Sequence, residues 1–227
     1  MIEKLSEQVT SNELGEKNYL NIHPVSEMTV QEANDFIANE FNKSYREIDE
    51  TTYIQLLSEV YNRFEDEIAI DFKTTDRIKS VVDIIKSEAW ETLSETEKGK
   101  IIEELVKSIA QELKLERIPT VEICDLPEGE YGSFRPLENK IVLNTRHINE
   151  SVELINTVAH EIRHAYQHMR AEILETKEDA LFHINFENYI DVVPLPDGSC
   201  LFFYDYYSQY VEVDARAFAN SFWEANR

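Results

Sequence analysis

Thr157-Val158-Ala159-His160-Glu161-Ile162-Arg163-His164-Ala165-Tyr166-Gln167 is the stretch on which the reading turns. Leu154, Ile155, Val158, Ala159, Ile162 and Ala165 recur at helical spacing, which predicts a helix seated in a core. Asn149 or Ser151 would cap it, and the pattern runs through at least Met169. His160 and His164 are four apart, so their imidazoles leave one face about one turn apart. Two neutral ring nitrogens so placed can reach one Zn2+ at ~2.0–2.1 Å. Glu161 adjoins the first histidine but is off the histidine line, where a carboxylate can take a proton from a water that a metal has acidified. Two histidines and a glutamate on a core helix need a reason, and metal binding supplies one.

A metal site that keeps one position open for water needs a third protein ligand. His168 extends the series, but it is eight residues from His160 and rotated by ~80° around the helix, so it should miss the metal. It reads as an outer or surface histidine. The metzincin pattern calls for Gly and then His further along, where this chain has Gln167 and Arg170. The stronger candidate is in Tyr210-Val211-Glu212-Val213-Asp214-Ala215-Arg216-Ala217-Phe218-Ala219, an amphipathic helix with two carboxylates at its start. Glu212 can reach a metal held by another helix, since Ala215 and Ala219 allow close approach. Asp214 is the rival; its other roles are to orient an imidazole N–H or to cap the helix. Arg216 reads as an intrahelical partner of Glu212 and Arg163 as half of a structural ion pair.

HEIRHAYQ followed by EVDARAFA resembles the gluzincin class of zinc metallopeptidases, whose third ligand is a Glu on a later helix and many of whose members carry an acidic–Ala–aromatic–Ala signature around it. The resemblance covers about residues 118–225. It implies Zn2+ held by His160, His164 and Glu212, with Glu161 as general base and then acid in hydrolysing a peptide bond. It also implies a zincin-like core, in which a short sheet precedes the central helix and an edge strand binds extended substrate. Lys140–Asn144 sits where that strand would be. Two departures stand out. Arg216 occupies the position four after the ligand Glu where the best-known subclasses have Asp, and no His or Tyr follows Glu212 as oxyanion stabiliser. The tyrosine cluster Tyr204, Tyr206, Tyr207 and Tyr210 is the substitute source of such a donor, with Tyr210 next to Glu212 put forward for the role. The bland alternative is that these tyrosines pack a hairpin against the last helix. Tyr131 and Tyr166 are more distant choices.

Working outward, residues 1–117 read as a helical N-terminal region and 118–227 as the catalytic core, an α+β arrangement. Thr29 and Glu32 suggest a capping box before a segment reaching about Ile48. Tyr53, Leu56, Leu57, Val60, Tyr61 and Phe64 mark a second helix. Ile78, Val81, Val82, Ile84 and Ile85 mark a third. Ser94 and Glu97 would cap a fourth, carrying Ile101, Ile102, Leu105, Ile109 and Leu113. Thr120–Cys124 reads as a strand, Leu126–Pro136 (LPEGEYGSFRP) as a loop and Lys140–Leu143 as a second strand closed by Asn144. Segments around Tyr189–Val193 and Cys200–Tyr204, joined by PLPDG, read as a hairpin before a last helix over roughly Tyr210–Glu224.

The charge of −23, from 45 acidic and 22 basic residues, argues against nucleic acid and membranes as partners and suits a basic partner or substrate, while the resemblance implies a protein or peptide substrate. No apolar run approaches the ~20 residues a bilayer span requires. The acidic, polar N-terminus has no apolar signal-peptide core, so the expected location is the cytoplasm, with non-classical export as the other route. Cys124 and Cys200 read as two buried thiols, with a single bridge as the lesser alternative. Two other functional readings stay open. The missing downstream donor motivates a catalytically inactive, zinc-stabilised binding or regulatory protein, and a weaker one makes the motif a coincidence in a helical interaction protein.

Overall fold

The computed structural model describes residues 48–61, 68–195 and 199–227, all within one compact unit spanning 44–227. The segment opened by Thr29, as well as Phe64 and the Pro196–Gly198 turn, lies outside the described residues. Helix α1 (Glu50–Tyr61) buries Leu56 and Val60. Helix α2 (Asp76–Lys86) starts where the Thr75 side chain accepts the Ile78 N–H, and it buries Ile78, Val81, Val82 and Ile85. Helix α3 (Glu95–Glu112) begins with the expected capping box: Ser94 accepts from the Glu97 N–H while Glu97 accepts from the Ser94 N–H.

Three short strands follow, β1 (Thr120–Cys124), β2 (Gly132–Arg135) and β3 (Lys140–Asn144). β3 is central, parallel to β1 and antiparallel to β2. This corrects two expectations. The segment read wholly as a loop contains β2, and Lys140–Asn144 is the buried middle strand, with β2 as the sheet edge on the cleft side. Ile141, Val142, Leu143 and Asn144 are all buried, which a central strand covered on both faces requires.

Helix α4 (Ser151–Ile173) carries the His-Glu-x-x-His stretch. Neither expected residue caps it; Glu150 holds that position without a side-chain bond, and Asn149 Oδ1 instead accepts from Lys98 Nζ at 2.7 Å. Helix α5 (Lys177–Glu187) was not anticipated. It opens on a capping box between Thr176 and Asp179, and Asp179 also holds Arg170 of α4 through two bonds of 2.7 Å. The hairpin is present but reduced to β4 (Val193–Pro194) paired with β5 (Cys200–Leu201). Phe202 takes a φ of +60° and ends it, and residues expected to be strand form α6 (Phe203–Ser208) instead. Helix α7 (Tyr210–Asn226) follows.

One core joins α2, α3, β3, α4 and α7, through Ile78, Leu105, Ile141, Ile162 and Phe222 among others, so the expected division at 117/118 falls inside a shared core. A second cluster joins α1, α5 and the start of α7. Cys124 is half-buried and Cys200 exposed, and both are free thiols, so the buried reading fails for Cys200. No helix among the described residues is long and apolar enough to cross a membrane.

Gly132 sets how closely β2 lies on α4. A β-carbon there would stand 2.7 Å from Thr157 Cγ2 and 2.9 Å from the Val142 carbonyl oxygen, closer than real contacts permit. Gly132→Ala is therefore expected to cost about 1–3 kcal/mol, lowering the melting temperature by ~2–4 °C per kcal/mol. An unchanged melting curve would mean that β2 does not press on α4 in this way.

Candidate metal centre

Helices α4 and α7 pack directly on one another, which brings residues about 48 positions apart in sequence into one site. The Nε2 atoms of His160 and His164 lie 3.0 Å apart. Glu212 closes the triangle, Oε2 at 3.3 Å from His160 Nε2 and Oε1 at 3.5 Å from His164 Nε2. Donors around a tetrahedral zinc with bonds of ~2.0–2.1 Å stand ~3.3 Å from each other, so all three separations suit a single ion. Two ring nitrogens and a carboxylate brought this close are favourable only where a proton or a cation lies between them. Among the described residues this is the one group of three or more His, Cys, Asp or Glu side chains whose donor atoms converge.

The start of α7 is held by α5. The Val211 N–H, free in the first helical turn, donates to Asn185 Oδ1 at 2.9 Å, and Asn185 Nδ2 donates to Gln209 Oε1. Glu212 is thus anchored from a helix the sequence pattern did not reveal. In the metal-free protein, burial opposes its charge, yet the two histidines hold its carboxyl well below the usual carboxylate range. For His164, burial alone would lower the pKa; the charge of Glu212, a bond to it and the contacts with Glu161 and Gln167 together raise it to about 9.

Glu161 is buried beside these three side chains and near the backbone of Phe134 on β2. Burial raises its pKa, with His160 and His164 pulling the other way. It opens into a cleft of about 410 Å³, also lined by His164, Glu212, Tyr189, Tyr206 and the β2 residues Gly132 to Phe134. Asp191 stands on the wall, and among the described residues no Lys or Arg does. His168 lines the cleft too; burial, then the neighbouring His164, lowers its pKa to about 4, and its ring stacks on Phe186 at 3.8 Å between centroids. It is not in the converging group, as its helical angle required.

No protein-family model, curated protein or solved structure matches this chain. The functional argument therefore rests on the site.

Tyr210 is placed differently from its expected role. It is buried in the second cluster with its ring stacked on Phe182, and it is not among the cleft-lining residues. The phenols at the site are Tyr189, whose hydroxyl donates to Glu212 Oε1 at 2.7 Å, and Tyr206, 6.2 Å from Tyr189 between ring centroids. Burial, then the charge of Glu212, raises both pKa values, so both remain protonated through the neutral range. Tyr204 and Tyr207 are exposed, Tyr131 stacks on His147, and Tyr166 lies beneath the Arg163 guanidinium. Tyr189 escaped the sequence reading because it is remote from the tyrosine run, on a segment read only as strand.

The carboxylates separate cleanly. Asp214 is fully buried but binds Arg163, with Nε at 2.7 Å and Nη2 at 2.9 Å, which is the expected structural pair and leaves Glu212 as the converging carboxylate. Arg216 donates to the Tyr207 carbonyl and lies over its ring, a partner the helical spacing had not suggested.

Proposed function

We propose that the chain is a zinc-dependent peptidase on a zincin-like core. The observation that carries this is the convergence of His160, His164 and Glu212 beside buried Glu161, at a cleft walled by an edge strand. When bound, zinc would act as a Lewis acid that acidifies a water molecule and polarises a carbonyl. Glu161 is the general base: it takes a proton from the attacking water and passes it to the amine that leaves as the C–N bond breaks. Its raised pKa suits both halves of that transfer. Tyr206, whose titration responds to both Glu212 and Glu161, keeps its proton and is the candidate donor to the developing oxyanion. This moves the role assigned from sequence to Tyr210 onto a neighbour four residues earlier. Tyr189, bonded to Glu212, orients that ligand.

The β2 edge offers backbone groups against which an extended polypeptide can align. With Glu161, Glu212 and Asp191 on the cleft and no Lys or Arg among the described residues that line it, neutral or basic substrate segments are favoured over acidic ones.

Elemental analysis tests the metal half directly. Protein purified without chelators is expected to hold close to one zinc per chain, and His160→Ala and Glu212→Ala to remove it. A chain that holds no zinc as purified, and takes up none when zinc is added, would end the metal reading. Zinc without cleavage of any member of a peptide library would leave the alternative, a zinc-stabilised binding protein.

A further inference from the structure

A buried chain of polar contacts runs from His164 through the packed helices to Arg163. Gln167, fully buried, lies one turn beyond His164 on α4, with Oε1 2.8 Å from His164 Nδ1. Its amide nitrogen faces two acceptors on α7, the Val211 carbonyl at 2.9 Å and Asp214 Oδ2 at 2.6 Å. Those acceptors settle which end of the amide is which. A flipped Gln167 would set its oxygen against a carbonyl and a carboxylate while its NH2 was turned to the imidazole, so the oriented form is strongly preferred. Asp214 is itself fixed as an acceptor by the two bonds from Arg163. Gln167 Oε1 is thus an obligatory acceptor, and the group it accepts from is Nδ1–H of His164.

We infer that Gln167 is a positioning residue for the metal centre: it forces the tautomer of His164 that leaves the Nε2 lone pair aimed at His160 and Glu212, and the Arg163–Asp214 pair holds Gln167 in that orientation. The inference rests on the metal reading above and not on peptidase activity. An amide does this work without adding negative charge beside the site, where Glu161 and Glu212 already lie. The i to i+3 spacing lets the same helix supply ligand and orienter, and the docking of α7 supplies the group that sets the orienter.

The test is zinc affinity, read by competition with a chromogenic chelator, for the wild type, Gln167→Met and Gln167→Glu. Methionine keeps the length and apolar contacts but accepts only weakly, so its zinc Kd is expected to rise by ~10–100-fold. Glutamate restores an acceptor but faces Asp214 and the Val211 carbonyl without a donor, so its zinc Kd is also expected to exceed that of the wild type. Circular dichroism and the melting temperature of the metal-free variants report separately on folding. Nitrogen-edited NMR of the zinc-loaded wild type needs no variant; a proton on His164 Nδ1, protected from exchange, is expected. Metal on Nδ1, or a folded Gln167→Met with unchanged zinc affinity, overturns the inference while the metal centre stands. A wild type that binds no zinc overturns both.

Discussion

Glu161→Gln is expected to keep its zinc and its fold while kcat/KM on any peptide the wild type cleaves falls by about 10²–10⁴-fold. The substitution is nearly isosteric, so the packing around this buried position is kept. It removes a carboxylate whose charge is already disfavoured by burial, so metal-free stability should hold or rise slightly. What disappears is the capacity to take a proton and return it. Metal content, melting temperature and turnover measured on one preparation separate these effects. Undiminished cleavage at full zinc occupancy would remove Glu161 from the mechanism; a joint loss of zinc and activity would make it a structural support of the site.

The second large effect is in pH. Metal-free His164 has its pKa raised from 6.5 to about 9, so its proton stabilises the folded state fully below pH 6.5, and that contribution is lost as pH rises through about 9. Glu212 shifts the opposite way: its stabilisation is present above its ordinary range and lost only in acid. Zinc must take the place of the His164 proton, so zinc binding releases a proton across neutral pH. Its affinity should increase by up to about tenfold per pH unit between pH 6 and 8. At 100 times Kd the ion contributes about 2.7 kcal/mol, which corresponds to ~5–10 °C in melting temperature for a domain of this size. Melting curves at fixed total zinc are therefore expected to show a gap between zinc-loaded and chelator-treated protein that widens from pH 6 to pH 8. A gap constant with pH would mean that His164 carries no proton for zinc to displace.

Much of the site was legible because the chemistry imposes spacing. Histidines four apart on a helix share a face whatever surrounds them, and Ala215 and Ala219 allow the second helix to approach. Ser94 with Glu97, and the apolar run at Ile141–Leu143, are local signals of the same kind. The misses are also physical. β2 spans four residues, Gly-Ser-Phe-Arg, and its pairing comes from β3 and from contact with α4 rather than from alternation of its own. α5 buries Ala180, Leu181, Phe182 and Ile184, which lie around most of the helix, so it shows no apolar stripe; its capping box has Asp where Glu or Gln is the usual sign. Sequence distance to Glu212 favours Tyr210 over Tyr206, and it misleads. The register of a helix decides which of them faces the core.

The docking of α7 on α4 also has a meaning in time. Glu212 is added to the growing chain about 48 residues after His164, a delay of ~2–10 s at 5–20 residues per second. Through that interval the nascent protein has its general base and two of its three donor groups, while Arg163 and Gln167 await their partners. On the proposed reading, hydrolytic competence would arrive only with α7, and a ribosome-bound chain that has not yet exposed that helix would present no working blade to its neighbours.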